Sequence, residues 1–210
     1  EKTKILTNIS SSLKVTKAPK KIVTPASTSE MCSEVENLKV DNHRLLTSKN
    51  YEVYLAPAAK IPTILHEIGR LREITFRDIG EGTNKAIDLD KFDYYYQHMF
   101  LWDAEVQCLA GAYRMGLGSE IFEAKGIDGF YLQDLFRFEP ELHSMMQQSI
   151  ELGRAFIIKA YQQKPMPLFL LWKGIVHTTL RFPDHKYLIG GVSISNQFSN
   201  FSKSLMIEFM

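Results

Sequence analysis

Ser149-Ile150-Glu151-Leu152-Gly153-Arg154-Ala155-Phe156-Ile157-Ile158 is apolar and β-prone, and it reads as a central strand although two charges interrupt it. Burying a carboxylate or a guanidinium costs several kcal/mol unless it is paired or faces a cleft. A strand carrying both is therefore either lining a site or holding a structural ion pair. Side chains alternate along a strand, so Glu151 and Arg154, three apart, should lie on opposite faces. A bulge at Gly153 would bring both toward one side and free backbone N–H groups to hold a developing oxyanion.

Around this strand, 210 residues with 45% hydrophobic content can bury one substantial core. A net charge of +1 gives no general attraction to nucleic acid. Cys32 and Cys108 are too few for a disulfide framework or a thiolate metal site, which fits a reducing cytoplasm. No apolar run reaches the roughly 18 residues that span a bilayer. The chain begins at Glu1 rather than Met and stops at Met210 in a helix-like run, so a C-terminally truncated piece of something longer is expected.

Residues 1–50 are rich in Lys, Ser and Thr, with Lys2, Lys4, Lys14, Lys17, Lys20 and Lys21 clustered early, and they read as a linker with one short helix. Those lysines either keep it soluble or meet an anionic membrane surface. From residue 51 the pattern is that of a folded domain. Residues 51–56 alternate as a half-buried strand, and residues 61–76 turn to helical period with Ile61, Leu65, Ile68 and Phe76 on one face. Arg72 falls on that apolar face, either snorkelling or facing a cleft. Residues 79–95 form a loop whose Asp88, Asp90 and Asp93 lack the glycine and distant glutamate of a calcium loop, so no metal site is assigned. Residues 98–103 and 107–115 make an antiparallel hairpin that carries His98, a candidate base read here as structural. Residues 168–180 form an apolar helix for the sheet, residues 187–198 return to strand, and residues 201–210 start another helix. The order predicts an α/β (α+β) fold, a mixed sheet with helices on its faces.

Five motifs in this order, Arg72-x-x-x-Phe76, Asp90-x-x-Asp93, Gly111-Ala112-Tyr113-Arg114, Glu151-Leu152-Gly153-Arg154 and Leu171-Trp172-Lys173-Gly174, resemble those of the ornithine-lipid and glycine-lipid N-acyltransferases. These hemolysin-like bacterial enzymes are related to acyl-homoserine-lactone autoinducer synthases. The resemblance covers about residues 51–210 and is nearest to Bacteroidetes-type members, some of them fused behind a lysophospholipid acyltransferase domain. It implies a GNAT-like, mostly antiparallel sheet with helices on both faces. The activity it implies is transfer of a 3-hydroxyfatty acyl group from acyl carrier protein to the amine of a small amino acid, ornithine or glycine, in the cytoplasm or peripheral to the inner membrane. No tightly bound cofactor and no nucleic acid is implied.

Carried over residue by residue, the resemblance makes Glu151 the general base or water-orienting group. Arg72, Arg114 and Arg154 organise the site or meet anionic substrate groups, Asp90 and Asp93 pair with those arginines, and Phe76 and Trp102 line the acyl path. Such residue types suit the chemistry, since an ammonium must lose a proton before attacking a thioester and arginine forks fit carboxylates and phosphates. Arg114-Met115-Gly116-Leu117-Gly118 has one residue too few for the pyrophosphate-wrapping loop of coenzyme-A-dependent members, which favours a carrier-protein donor docking near Lys159, Lys164 and Lys173. Two alternatives stand beside this reading: an autoinducer synthase acting on S-adenosylmethionine, and a non-catalytic module tethering a partner to membrane.

Overall fold

The computed structural model describes residues 18–192 and 198–209. One six-stranded sheet runs in chain order: β1 (Arg44–Ser48), β2 (Tyr51–Pro57), β3 (Gln97–Asp103), β4 (Cys108–Leu117), β5 (Ser149–Ile157) and β6 (Tyr187–Ile189). Neighbours are antiparallel except β5 and β6, which are parallel. On one face lie α1 (Thr28–Val40) and α2 (Pro62–Asp78), packed over Tyr54, Phe100, Ala112 and Phe156. On the other, α5 (Lys159–Gln162) and α6 (Pro165–Arg181) cover Val53, Met99, Leu101, Met115 and Ile150. A third apolar cluster joins Phe92, Tyr96 and Phe130 to α3 (Gly118–Lys125) and α4 (His143–Gln147). The chain closes with α7 (Asn200–Phe209). This is the mixed sheet with helices on its faces that the residue pattern predicts, and the mostly antiparallel pairing is the one the resemblance implies.

The hairpin forms as expected, with Trp102 opposite Leu109 and Asp103 opposite Cys108. β2, expected to be half-buried, is covered on both faces: Tyr51, Val53 and Leu55 face α6, while Glu52, Tyr54 and Ala56 face away from it. Glu52 tolerates this because Arg44 Nη1 donates to it at 2.9 Å and Tyr54 Oη at 2.7 Å. α6 lies close on the sheet at Gly174, where a Cβ would come within 2.7 Å of Met99 Sδ. No described helix is long and apolar enough to cross a membrane.

The domain boundary expected at residue 50 falls inside the fold and must move N-terminally. β1 is hydrogen-bonded to β2 as an edge strand, and Met31, Val35 and Leu38 of α1 are buried in the core. Their spacing of four and three is a helical apolar stripe, hidden in the sequence by the Lys, Ser and Thr around it. Even Lys20 and Val23 are tied in, donating backbone N–H groups to Asn84 O and Ala86 O. The first 17 residues, with Lys2, Lys4, Lys14 and Lys17, lie outside the described residues. So do residues 193–197 of the expected last strand; of its described residues only Tyr187–Ile189 form β6, and 190–192 leave the sheet.

Candidate active site

β5 departs from regular pairing at its centre. Arg114 of β4 pairs with Gly153 and Ala112 with Phe156, so Arg154 and Ala155 together stand opposite the single residue Tyr113. This is the bulge expected from Gly153, but the left-handed residue is Arg154, with φ +52°. Beyond Glu151, β5 and β6 no longer pair, and between them lies a cleft of about 910 Å³. Leu152, Gly153, Arg154 and Ala155 form one wall and Leu188 to Val192 the other, with Tyr131, Leu135 and Phe136 from the preceding loop. Phe76, Tyr113 and Ala155 also line an apolar groove of about 270 Å³ that runs to Gln162, Leu168 and Leu171, so the two spaces form one trough past the bulge.

Beside the bulge, three arginines and three aspartates interlock. Arg72 Nε donates to Asp88 Oδ2 at 2.8 Å, and its Nη1 and Nη2 fork onto Asp93 at 3.1 and 2.8 Å. Arg114 Nη1 donates to Asp90 Oδ1 at 2.7 Å and lies 3.5 Å from Asp93 Oδ2. Arg154 stands off at 3.6 Å from Asp88 and 3.8 Å from Asp90, with its side chain 22% exposed. The Arg114 guanidinium also stacks among Phe92, Tyr96 and Tyr131, 4.8 Å from the Tyr131 ring centroid. Burial pushes the Asp93 carboxyl up, but the charge and hydrogen bonds of Arg72, with Arg114 behind it, hold it below the ordinary range.

Residues 71–172 match the family model of the acetyltransferase (GNAT) domain. The fold is a GNAT fold. The chain is 31% identical over 185 residues to a glycine N(alpha)-acyltransferase of Phocaeicola vulgatus, covering 82% of this chain and 57% of that protein. A glycine N(alpha)-acyltransferase of Bacteroides thetaiotaomicron is 29% identical over 178 residues, covering 80% of this chain and 53% of that one. The chain thus spans about half the length of the curated relatives it matches. No solved structure gives a significant match.

On this GNAT fold, Glu151 is 2% exposed and does not line the cleft. Its Oε2 accepts from Tyr96 Oη at 2.6 Å and Tyr131 N at 3.2 Å, and its Oε1 accepts from Leu132 N at 2.9 Å. Gly116, opposite Glu151, leaves the room that Tyr96 fills: a Cβ there would come within 2.4 Å of the ring. Burial raises the Glu151 carboxyl, against the pull of those donors and of Arg114. Contact with a substrate amine, the role the resemblance implies, would require Glu151 to surrender one of these bonds. Glu151 and Arg154 do meet one neighbour, Tyr131, through its N–H and its ring respectively, so the bulge brings both to one side.

The structure brings Arg72, Arg114, Arg154, Asp90 and Asp93 together and places Phe76 on the trough. Trp102 departs from its expected place: it is buried beside Leu109 in the core under α1 and α2 and lines neither space, because the C-terminal half of β3 runs away from the bulge. His98 is buried, with Nε2 2.8 Å from Asp93 O, and burial lowers it to about 4, so it is a neutral tie within the network. Gly116 and Gly118 are packed against Tyr96 and Met146 O and form no open phosphate loop. Sequence reading passed over Asp88, considered only for calcium, and over Tyr96 and Tyr131. The run Tyr94-Tyr95-Tyr96 beside three aspartates was the available signal for an aromatic enclosure of an arginine.

Proposed function

We propose that this chain transfers a fatty acyl group, 3-hydroxylated in its preferred form, from a carrier-protein thioester to the amine of glycine. The observation that carries the reading is the single trough past the β5 bulge. A long, thin thioester arm fits a groove entered near Gln162 and Leu168, with its carbonyl brought to the bulge and its acyl chain passing on toward Leu135, Phe136 and Leu188. The names of the two relatives support glycine as acceptor. The stretch from Ile158 to Lys164, between the bulged strand and α6, holds no glycine to wrap a pyrophosphate and carries the exposed Lys159 and Lys164, which supports an acidic carrier over coenzyme A.

In this reading the neutral amine nitrogen attacks the thioester carbonyl carbon and the carbonyl π electrons move to oxygen. Backbone donors at the bulge meet the oxyanion, and collapse expels the thiolate, which takes up the proton released from nitrogen. Arg154, the exposed arginine of the network, meets the acceptor's carboxylate. Glu151 enters as the group that fixes Tyr96 and the 131–132 backbone, and through them the cleft wall, while the proton that the glycine ammonium loses before attack leaves through water.

The test is incubation of the full-length protein with 3-hydroxyacyl carrier protein, or the matching coenzyme A thioester, and a panel of amino acids including glycine and ornithine. Mass spectrometry should find N-acylglycine made fastest from the carrier thioester. A lactone from S-adenosylmethionine, or no N-acyl amino acid at all, would overturn the reading.

A further inference from the structure

The three arginines beside the bulge differ in how much of their hydrogen-bonding capacity the protein uses. Arg72 commits Nε, Nη1 and Nη2 to Asp88 and Asp93. Arg114 commits Nη1 to Asp90, and its Nη2 is buried without a partner. Arg154 makes no hydrogen bond among the described residues, and its Nε is likewise buried and unpartnered. Yet Arg154 is not loose. Its guanidinium lies 5.6 Å from the centroid of the Tyr131 ring, which also stacks on Arg114, and Tyr131 is tied through its N–H to Tyr96 and Glu151. A guanidinium held by a ring on the cleft wall, with its N–H groups unused, is set to receive a ligand carboxylate.

Asp90 is its counterpart. Oδ1 of Asp90 is fully engaged, accepting from Arg114 Nη1 at 2.7 Å, Phe92 N at 2.9 Å and Asp93 N at 3.3 Å. Oδ2 accepts no hydrogen bond among the described residues, and Arg154 Nη2 stands 3.8 Å from it, about 1 Å beyond a charge-assisted hydrogen bond. The side chains of Arg154 and Asp90 are 22% and 23% exposed, whereas those of Arg72, Arg114, Asp88 and Asp93 are at most 3% exposed. Arg154 and Asp90 are therefore the pair in this network that is both reachable and unmade.

An unused cation beside an unused carboxylate oxygen matches the two ends of an α-amino acid, whose carboxylate and ammonium share one carbon. The charge count selects in the same direction. Three arginines and three aspartates cancel and His98 is neutral, so a ligand without net charge leaves the network balanced, while a phosphate or a simple amine would unbalance it.

We propose that the opened Arg154–Asp90 pair is the receptor for the acceptor amino acid as a zwitterion, with its carboxylate on the Arg154 guanidinium and its ammonium on Asp90 Oδ2. This rests on the acyl-transfer reading for the purpose of the site. It adds that the acceptor is a free α-amino acid recognised at both ends, and that Asp90 is the binding residue for the amine.

Binding is read apart from turnover. Full-length protein is equilibrated by dialysis with radiolabelled glycine, alone and with acyl carrier protein bearing a non-cleavable amide in place of the thioester. The competitors are glycolate, which lacks the ammonium, and glycinamide, which lacks the carboxylate. Glycine should bind about tenfold or more tighter than either. Asp90→Asn keeps an oxygen for Phe92 N, Asp93 N and Arg114, and in it the preference over glycolate should fall to near unity while glycolate itself binds as to the wild type. In Arg154→Gly the preference over glycinamide should vanish instead. Glu81→Gln removes another carboxylate of the cleft wall and should change neither.

Glycine that fails to bind in both settings, or binds no better than its two analogues, overturns the proposal, and this wild-type comparison decides even if a variant does not fold. Equal weakening of glycine and glycolate in Asp90→Asn also overturns it, since that is what a purely structural Asp90 would give. A preference lost in Glu81→Gln would hand the ammonium to Glu81. If N-acylglycine forms but these preferences ignore Asp90 and Arg154, this inference fails and the reaction stands; if the preferences follow both residues and no N-acyl product forms, the reaction fails alone.

Discussion

Arg72 and Arg154 share one ion network but differ in what their loss should do. Arg72 is sealed in with all its bonds made inside the protein, so Arg72→Ala leaves Asp88 and Asp93 buried without their nearest partner and with only the longer contacts to Arg154 and Arg114. The expected cost is about 3–5 kcal/mol in urea denaturation, and Arg72→Lys, which cannot form the fork, should recover little of it. Glu151 is informative in another way. Gln at 151 turns one acceptor into a donor against Tyr131 N or Leu132 N, at about 1–3 kcal/mol, and loosens the cleft wall. Acyl transfer by Glu151→Gln should drop strongly while the shape of its pH–rate profile stays that of the wild type. Loss of one limb of the profile would instead make Glu151 the base. The arginine–aspartate pairing was legible through the family resemblance, whereas the out-of-pattern charge of Arg72 alone left snorkelling and a cleft-facing role both open. The hydrogen bonds of Glu151 were not, since they depend on where the loop at 131–132 returns in space.

At the level of elements, the bulge stores a cost that glycine would remove. A left-handed non-glycine residue is disfavoured by about 1–2 kcal/mol, and the ion pairs of Arg154 are long and partly exposed. Arg154→Gly should therefore melt at or above the wild-type temperature while losing most acyl transfer. A clear loss of stability would show that the guanidinium is structural. The bulge itself could be anticipated from Gly153 between two charges, but the backbone chose Arg154 to turn. Elements with strong period, α2, α6 and the β3–β4 hairpin, were readable within a few residues. α1 and β1 were not, because their few apolar residues make sense only against α2 and β2. A protein shortened to begin at residue 50 should fail to fold to a soluble monomer, judged by gel filtration and circular dichroism, since it would uncover the apolar surface that Met31, Val35 and Leu38 now cover.

For the whole molecule, the buried network predicts how acid acts. His98 is neutral in the fold and its proton affinity is lowered to about 4 from 6.5, so the stability it contributes is complete above about pH 6.5 and is lost as pH falls toward 4. At 1.36 kcal/mol per unit this reaches about 3 kcal/mol. Asp93, held low, adds a further loss only as pH falls below its unfolded value of 3.8. Glu151, whose carboxyl is raised, works the other way and offsets part of the decline by taking a proton. Urea midpoints at pH 7, 6 and 5 should decline in the wild type and hold nearly level in His98→Asn.

β6 is fastened to its neighbour over Ser149–Tyr187, Ile150–Leu188 and Glu151–Ile189, after which the two strands diverge. So short a seam makes the far wall of the trough the loosest part of the sheet. Its amides should exchange with deuterium well before those of β2 to β4, and the gap beside the bulge can widen for a bulky chain without the central strands having to move.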